Sequence, residues 1–406
     1  MGRRTKWGDE PSVATLLHGR LKGTIKPHDR PVGSSPSTLM PPAEKPVLLL
    51  TCGDPAGIGP EVVIKAWTAT PAHARARLRV VAEVGMLARV LADRSGLPRP
   101  AIEGVEPADP RNSAADRLLV IDPGLGRDGT ASGAGVVEAG TVSAAGGASA
   151  AAAVQTAARL VRDGLARGIV TGPLHKAALH AAGYDVPGHT EMLARFCGLA
   201  DTDVSMMLWL PREGSAAAPA GLGVVHVTLH ESLAHAVARL STETIVQAGT
   251  RLAGLLGPLL GRRPRIAIAA LNPHAGESGL FGDEETRLIA PAVRRLADTG
   301  IDVTGPLPAD TLFLRASRGE FDGVVAQYHD QGHIPIKLLG MHRAVNITLG
   351  LPLVRTSVAH GTAFDIVGTG AADPASMLAA IDAAARLVEA GWPGHTASTA
   401  ASAPDT

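Results

Sequence analysis

Hydrophobic positions in this chain fall in short runs broken by turn-rich polar segments. PVLLLTCGD, from Pro46, is a buried strand ending in turn residues, and a helix follows from Pro60 with Glu61 in its first turn. LRVVAEV and RLLVIDPG are the next strands. From about Val142 to Gly164, alanine-rich sequence with helical apolar spacing predicts a helix. GIVTGPL is a strand running into a turn, and HKAALHAAG is a short helix ended by Gly183. MMLWLP and LGVVHVTL form a strand pair, and SLAHAVARLSTETIVQAGTRLAGLLG is helical. PRIAIAALNP is a strand opening onto a loop, and ETRLIAPAVRRLADTG is a helix. FDGVVAQYHD and AVNITLGLPLVRTSV are strand-like, and PASMLAAIDAAARLVEAG closes the fold as a helix. Strands alternating with helices predict an α/β fold with a mostly parallel sheet. Polar motifs recur where these strands end: GD after LLLTC, NPH after AIAAL and YHDQ after GVVAQ. In open α/β sheets that edge is where ligands bind.

The ends of the chain break this pattern. Residues 1 to about 45 are polar and rich in Pro, Ser and charge, and the tail from about Gly394 is low in complexity. Both are expected to be flexible. The 406 residues between and including them suffice for two ordinary domains. A net charge of zero, without a basic stripe, gives nucleic-acid or membrane-surface binding no support. No apolar run is long enough to span a bilayer, and no signal peptide is apparent. Two cysteines, Cys52 and Cys197, make no disulfide framework, which points to a reducing cytoplasm.

Candidate chemistry is concentrated in a few motifs. GDPAGIGPE is a strand–glycine loop–helix junction suited to an anion or simply to a tight turn; it lacks the third glycine of the dinucleotide fingerprint. Only Lys65, Lys176 and Lys337 lie beyond Pro46, so Lys176 in TGPLHK and Lys337 in HDQGHIPIK stand out. In PGHTEML, His189 and Thr190 open a helix, where Thr caps or contacts an anion. His230, His274 and His329 sit in three separate polar motifs. Brought together they would form a divalent-metal site with an open position; apart, each is an ordinary histidine among 15. Asp330 can orient the His329 ring or act as a base. Lys337, Asn346 and Arg355 offer a cation, an amide and a bidentate fork, a set suited to phosphate and carboxylate.

Taken in order, GDPAGIGPE, TGPLHK, GHTEML, LNPHAGE with FGDEE, GPLPADTLF, YHDQGHIPIK and NITLGLPLVRTSVAHGTAFDI resemble the PdxA family, the 4-hydroxythreonine-4-phosphate dehydrogenases of vitamin B6 synthesis. The resemblance runs from about Val47 to Val388 and spares only the tails. It implies an isocitrate/isopropylmalate-dehydrogenase-like α/β fold of two domains with a cleft between them. Residues 46–170 and 345–393 would form the first domain, and 171–344 the second, with the metal ligands and the dimer interface. Residues 1–45 and 394–406 would be extensions. It further implies a homodimer with a shared active site, NAD or NADP, and a divalent metal (Zn, Mg or Co).

Carried over residue by residue, His230, His274 and His329 resemble the metal ligands, drawn from both subunits. His189, Thr190, Lys337, Asn346 and Arg355 resemble the substrate contacts, and Lys337, Asp310 and Asp330 are the candidates for proton transfer. The family's usual Thr-Thr-His-x-Pro-Leu reads Thr228-Leu229-His230-Glu231-Ser232-Leu233 here, which keeps the histidine and alters its loop. The implied reaction is oxidation and decarboxylation of a four-carbon phosphorylated hydroxy acid. 4-Hydroxythreonine 4-phosphate, giving 3-amino-2-oxopropyl phosphate, is the first choice. 4-Phospho-D-threonate and 4-phospho-D-erythronate, substrates of related enzymes, are the alternative. HVTLHESL and HDQGHIPIKLLG are similar to those relatives or to a branch acting on aromatic cis-dihydrodiols, whereas TGPLHK leans towards the vitamin B6 enzyme. A non-redox, metal-dependent sugar-phosphate lyase or isomerase is the rival class.

Overall fold

The computed structural model describes residues 44–124, 137–186, 188–212 and 221–393. Most of the two expected extensions lies outside them. The strands are β1 (Val47–Thr51), β2 (Arg77–Val81), β3 (Ala101–Gly104), β4 (Arg117–Ile121), β5 (Gly168–Thr171) and β6 (Ser205–Pro211). They continue as β7 (Gly221–His226), β8 (Arg265–Ala269), β9 (Asp302–Leu307), β10 (Gly323–Ala326), β11 (Val345–Leu349) and β12 (Val354–Val358). All join one sheet in the order β3-β4-β2-β1-β5-β12-β11-β6-β7-β10-β8-β9.

Every residue of β1, β5, β7, β10 and β12 is buried. Successive strand residues point to opposite faces, so these strands are covered on both sides, as the apolar runs of β1, β5, β7 and β10 require, whereas β12 carries Arg355, Thr356 and Ser357 into the interior. The edge strands β3 and β9 instead have no fully buried residue. Pairing is parallel on both flanks and antiparallel in the middle, at β12-β11, β11-β6 and β6-β7. The sheet is therefore mixed rather than uniformly parallel. The cause is local: AVNITLGLPLVRTSV folds back on itself around Gly350, whose φ of +91° suits glycine, and makes two strands.

The long helix expected after His230 is also two, Leu233–Arg239 and Thr242–Leu260. Ser241 divides them, because its hydroxyl accepts from Thr244 N at 3.2 Å and starts the second helix. Strands β1–β5, β11 and β12 lie on one side of the β11–β6 pairing and β6–β10 on the other. A second, smaller core covers one face of that latter half. In it Leu208, Val224, Ala267 and Val324 meet Leu312 and Phe313 of the helix Ala309–Ser317 and Ile336 of the helix His329–Gly340.

Candidate active site

At the β6–β11–β12 junction the strand period of two builds a polar floor. Met206 and Leu208 on β6, Asn346 on β11, and Arg355 and Ser357 on β12 line one cavity of about 290 Å³. Register explains the row: Asn346 lies opposite both Leu208 and Ser357. Arg355, two residues before Ser357, shares its face. Walls come from Lys176, from the first turn of the helix His189–Phe196, from His230, and from His333 and Lys337 of the helix His329–Gly340.

Arg355 is 2% exposed. Its two terminal nitrogens donate to Thr348 Oγ1 at 3.0 Å and Thr171 Oγ1 at 2.8 Å. No carboxylate is within ion-pairing distance of it among the described residues, and burial lowers its pKa to about 10, opposed by the field of Glu191. A cation held this way is an unanswered charge. Among the described residues its Nε has no partner, and neither do His189 Nε2, Asn346 Oδ1 or His360 Nε2. All four residues line the cavity. Buried polar atoms are rarely left unpaired, so four around one cavity mark groups a ligand is meant to satisfy. His189 is neutral at ordinary pH, since burial and then Arg355 push its pKa well down. The helix it opens has no side-chain cap. Thr190 therefore does not cap, and the free N–H groups of the first turn add a second attraction for an anion.

His230 and His333 also line the cavity, and His329 stands beside them without lining it. His230 and His329 have ring centroids 5.8 Å apart, and His333 stacks on His329 at 3.7 Å. Burial, then Lys176 and His329, lower the His230 pKa, against Glu191. A neutral imidazole is the form that binds a metal. His329 Nδ1 hydrogen-bonds Asp330 Oδ1 at 2.7 Å, which leaves Nε2 as its donor atom. Two such imidazoles fit part of a transition-metal site, and a catalytic ion needs about three protein ligands.

His274 sits elsewhere, beside Phe281 at 6.3 Å, and does not line the cavity. Its loop is unusual: His274, Ala275, Gly276, Glu277 and Ser278 all have φ between 43° and 79°. The carboxylate of Glu285, in a π-helical turn, accepts from the backbone N–H groups of Leu271 and Asn272 at 2.8 Å each and from Asn272 Nδ2 at 2.9 Å. Asp310 is exposed in the first turn of Ala309–Ser317 and does not line the cavity. Asp330 is exposed beside His329, and Lys337 lines the cavity.

The glycine loop after β1 is structural. A Cβ on Gly53 would fall 2.0 Å from Pro173 O, on Gly59 1.8 Å from Cys52 O, and on Gly57 2.7 Å from Thr362 O. These glycines permit close backbone packing, and the N–H groups of Asp54, Gly57 and Ile58 already donate to Pro173 O, Asp54 O and Thr362 O. His226, buried at the end of β7, is a member of the histidine group that sequence reasoning passed over. It looks like a strand residue, and only the fold brings it to His333. His333 itself carried a signal, one helical turn after His329.

Residues 76–384 match the family described as pyridoxal phosphate biosynthetic protein PdxA. A 4-hydroxythreonine-4-phosphate dehydrogenase of Beijerinckia indica is 44% identical over 360 residues, 84% of this chain and 94% of that protein. A D-threonate 4-phosphate dehydrogenase of Cupriavidus necator is also 44% identical, over 84% of this chain and 97% of its own. The crystal structure of 4-hydroxythreonine-4-phosphate dehydrogenase from Klebsiella pneumoniae is 40% identical, covers 85% of this chain and all of that one, and superposes with a TM-score of 0.71. The order of motifs, the α/β sheet and this identity across nearly the whole length of the relatives lead to one conclusion: the chain belongs to the PdxA family.

Proposed function

We propose that the cavity binds a four-carbon phosphorylated hydroxy acid and that the chain oxidises and decarboxylates it. The observation that carries this is the set of unpaired atoms around Arg355: a buried cation, an open helix N-terminus and further unanswered donors and acceptors in one cavity. Phosphate and carboxylate are the groups that answer the donors, and a substrate hydroxyl or amine answers Asn346 Oδ1. 4-Hydroxythreonine 4-phosphate, converted to 3-amino-2-oxopropyl phosphate in pyridoxal phosphate synthesis, is the substrate we favour. The Cupriavidus necator relative, as similar as the other and named for D-threonate 4-phosphate, supports 4-phospho-D-threonate as the second reading, with 4-phospho-D-erythronate kept beside it as a further alternative.

Arg355, the first turn of His189–Phe196 with Thr190, and Asn346 would grip and orient the substrate. Lys337, the one proton-transfer candidate among Lys337, Asp310 and Asp330 that lines the cavity, would move the proton there. Asp330 would instead hold the His329 ring through Nδ1. The imidazole donors fit zinc or cobalt better than magnesium. His230, His274 and His329 would hold a divalent ion, which would supply Lewis acidity for the substrate hydroxyl. NAD or NADP, when bound, would supply the hydride acceptor, which is the cofactor's own chemistry.

His274 lies outside the cavity of its own chain, so a second copy is the source we propose for the third ligand. Exposed apolar side chains support a homodimer. Ile334, Leu338 (83% exposed) and Met341 are on or next to the helix that carries His329, and Leu280 (72%) and Phe281 follow His274. We read residues 46–170 with 345–393 and residues 171–344 as two lobes, with the cavity at their β11–β6 seam. No helix among the described residues is long and apolar enough to cross a membrane.

The test is nicotinamide absorbance on mixing the full chain with NAD⁺ or NADP⁺, Zn²⁺ or Co²⁺, and a panel of four-carbon hydroxy acids. Reduction only with phosphorylated acids is expected. No reduction with any of them, with consumption of a sugar phosphate instead, would establish the lyase or isomerase class.

A further inference from the structure

A Cβ built on Gly332 would lie 2.4 Å from His226 Nε2 and 2.8 Å from Val224 Cγ1. Only a residue without a side chain lets this turn of the helix close on β7. That approach places His333 Nδ1 3.0 Å from His226 Nε2 and 3.3 Å from the backbone oxygen of His329. Both rings are buried, His226 at 2% exposed and His333 at 8%. One helical turn separates His333 from His329, so their side chains meet. The two rings lie flat on each other, with centroids 3.7 Å apart and planes 11° apart.

The stack excludes one role and supports another. An imidazole lone pair lies in the plane of its ring. Near-parallel rings at this separation aim their lone pairs along separate planes, so one ion at about 2.0–2.1 Å cannot lie on both. His333 is therefore no co-ligand of His329. Instead it covers one face of that ring, while Asp330 engages the ring's Nδ1. Rotation of His329 about its ring bond is blocked from two directions, and Nε2 keeps one heading.

We propose that His333, anchored by His226, is a positioning residue that fixes the ring plane of His329 for metal binding. The inference rests on the reading of His329 as a metal-binding residue. His226 acts through His333 and does not touch the ion. The arrangement sets metal affinity by limiting the orientations of the ligand ring, an effect expected to be about 10-fold or more.

The experiment measures the Co²⁺ dissociation constant of the full chain by competition with a chromophoric chelator, together with the ligand-field absorption bands of bound Co²⁺. His333→Ala should weaken Co²⁺ by about 10-fold or more and alter the bands. His333→Phe, which restores a flat face, should recover most of that loss. His226→Ala should weaken Co²⁺ in the wild-type background and have no further effect beside His333→Phe. A His333→Ala affinity within about twofold of wild type, a Phe variant as weak as the Ala variant, or a His226→Ala effect equal in both backgrounds overturns the proposal. If His333→Ala does not fold, the two His226 comparisons decide it. His329→Ala separates the two levels. Unchanged Co²⁺ binding there removes the metal reading itself. Lost binding there, with His333→Ala unaffected, removes only this inference.

Discussion

Replacing Arg355 by methionine should make the ligand-free protein more stable and the enzyme worse. Burial lowers the Arg355 pKa from its ordinary value to about 10, a cost of about 3 kcal/mol for holding the cation in the folded chain. Met fills similar space without charge. It leaves the hydroxyls of Thr171 and Thr348 without their donor, at about 1 kcal/mol each. The balance is a gain of about 1 kcal/mol.

The sign with pH follows from linkage. The folded state disfavours the charged form, so the penalty is complete below about pH 10 and fades only as pH rises towards the higher pKa of the unfolded chain. The gain should therefore be flat across the neutral range. A phosphate or carboxylate gripped by the guanidinium is worth about 1.5–3 kcal/mol per charge-assisted hydrogen bond, so losing two should raise KM about 100-fold or more. Urea unfolding and steady-state kinetics on the same preparations read both quantities. Saturating substrate should reverse the order of stability, because only wild type is then stabilised by ligand. A methionine variant with unchanged KM, or one clearly less stable without ligand, refutes the reasoning.

Other sites give independent outcomes. Asp322 is 3% exposed and accepts from Arg262 and Arg265, which are 46% and 44% exposed. Asp322→Asn should cost about 2–3 kcal/mol in urea unfolding, below the full value for a buried pair because both arginines can return to water. Burial raises the Asp322 pKa, but the arginine hydrogen bonds outweigh it and hold the group well below the usual carboxylate range. Its contribution is thus complete above about pH 4 and lost as pH falls further; the Asn variant should lack that part of the acid profile. Gly332→Ala should cost about 2 kcal/mol in the same assay, since the added methyl meets His226 and Val224; a neutral effect would contradict the packing described. His274→Ala should abolish metal-dependent turnover with circular dichroism unchanged, and wild-type turnover after chelation and metal return would remove His274 from the site.

The strands and helices were legible because buried parallel strands write themselves as short apolar runs. Their mutual positions were not. Asn346 and Arg355 could be singled out as polar residues in apolar strands. Their shared floor with Met206 depends on the antiparallel return at Gly350, which sequence reading merged into one strand-like stretch. Thr190 at a helix start suggested capping, but Gly188 is the cap position and the hydroxyl is free for the cavity. Asp310 was carried by its motif alone, and the fold leaves it exposed in a helix first turn. His226 was invisible for the opposite reason: a histidine at the end of an apolar strand has no pattern until a glycine on a distant helix closes over it.

The left-handed loop at His274 also bears on which substitutions the chain tolerates. Four of its five residues are not glycine, though glycine adopts that conformation at little steric cost. Glycine at Ala275 or Ser278 should relieve about 1 kcal/mol of strain each and fold readily. It would also free the backbone to wander. A segment built from residues that resist bending, and pinned by Glu285, presents His274 at a set reach from its own chain. The loop thus trades ease of folding for stiffness, and a more relaxed backbone there would hold His274 less firmly.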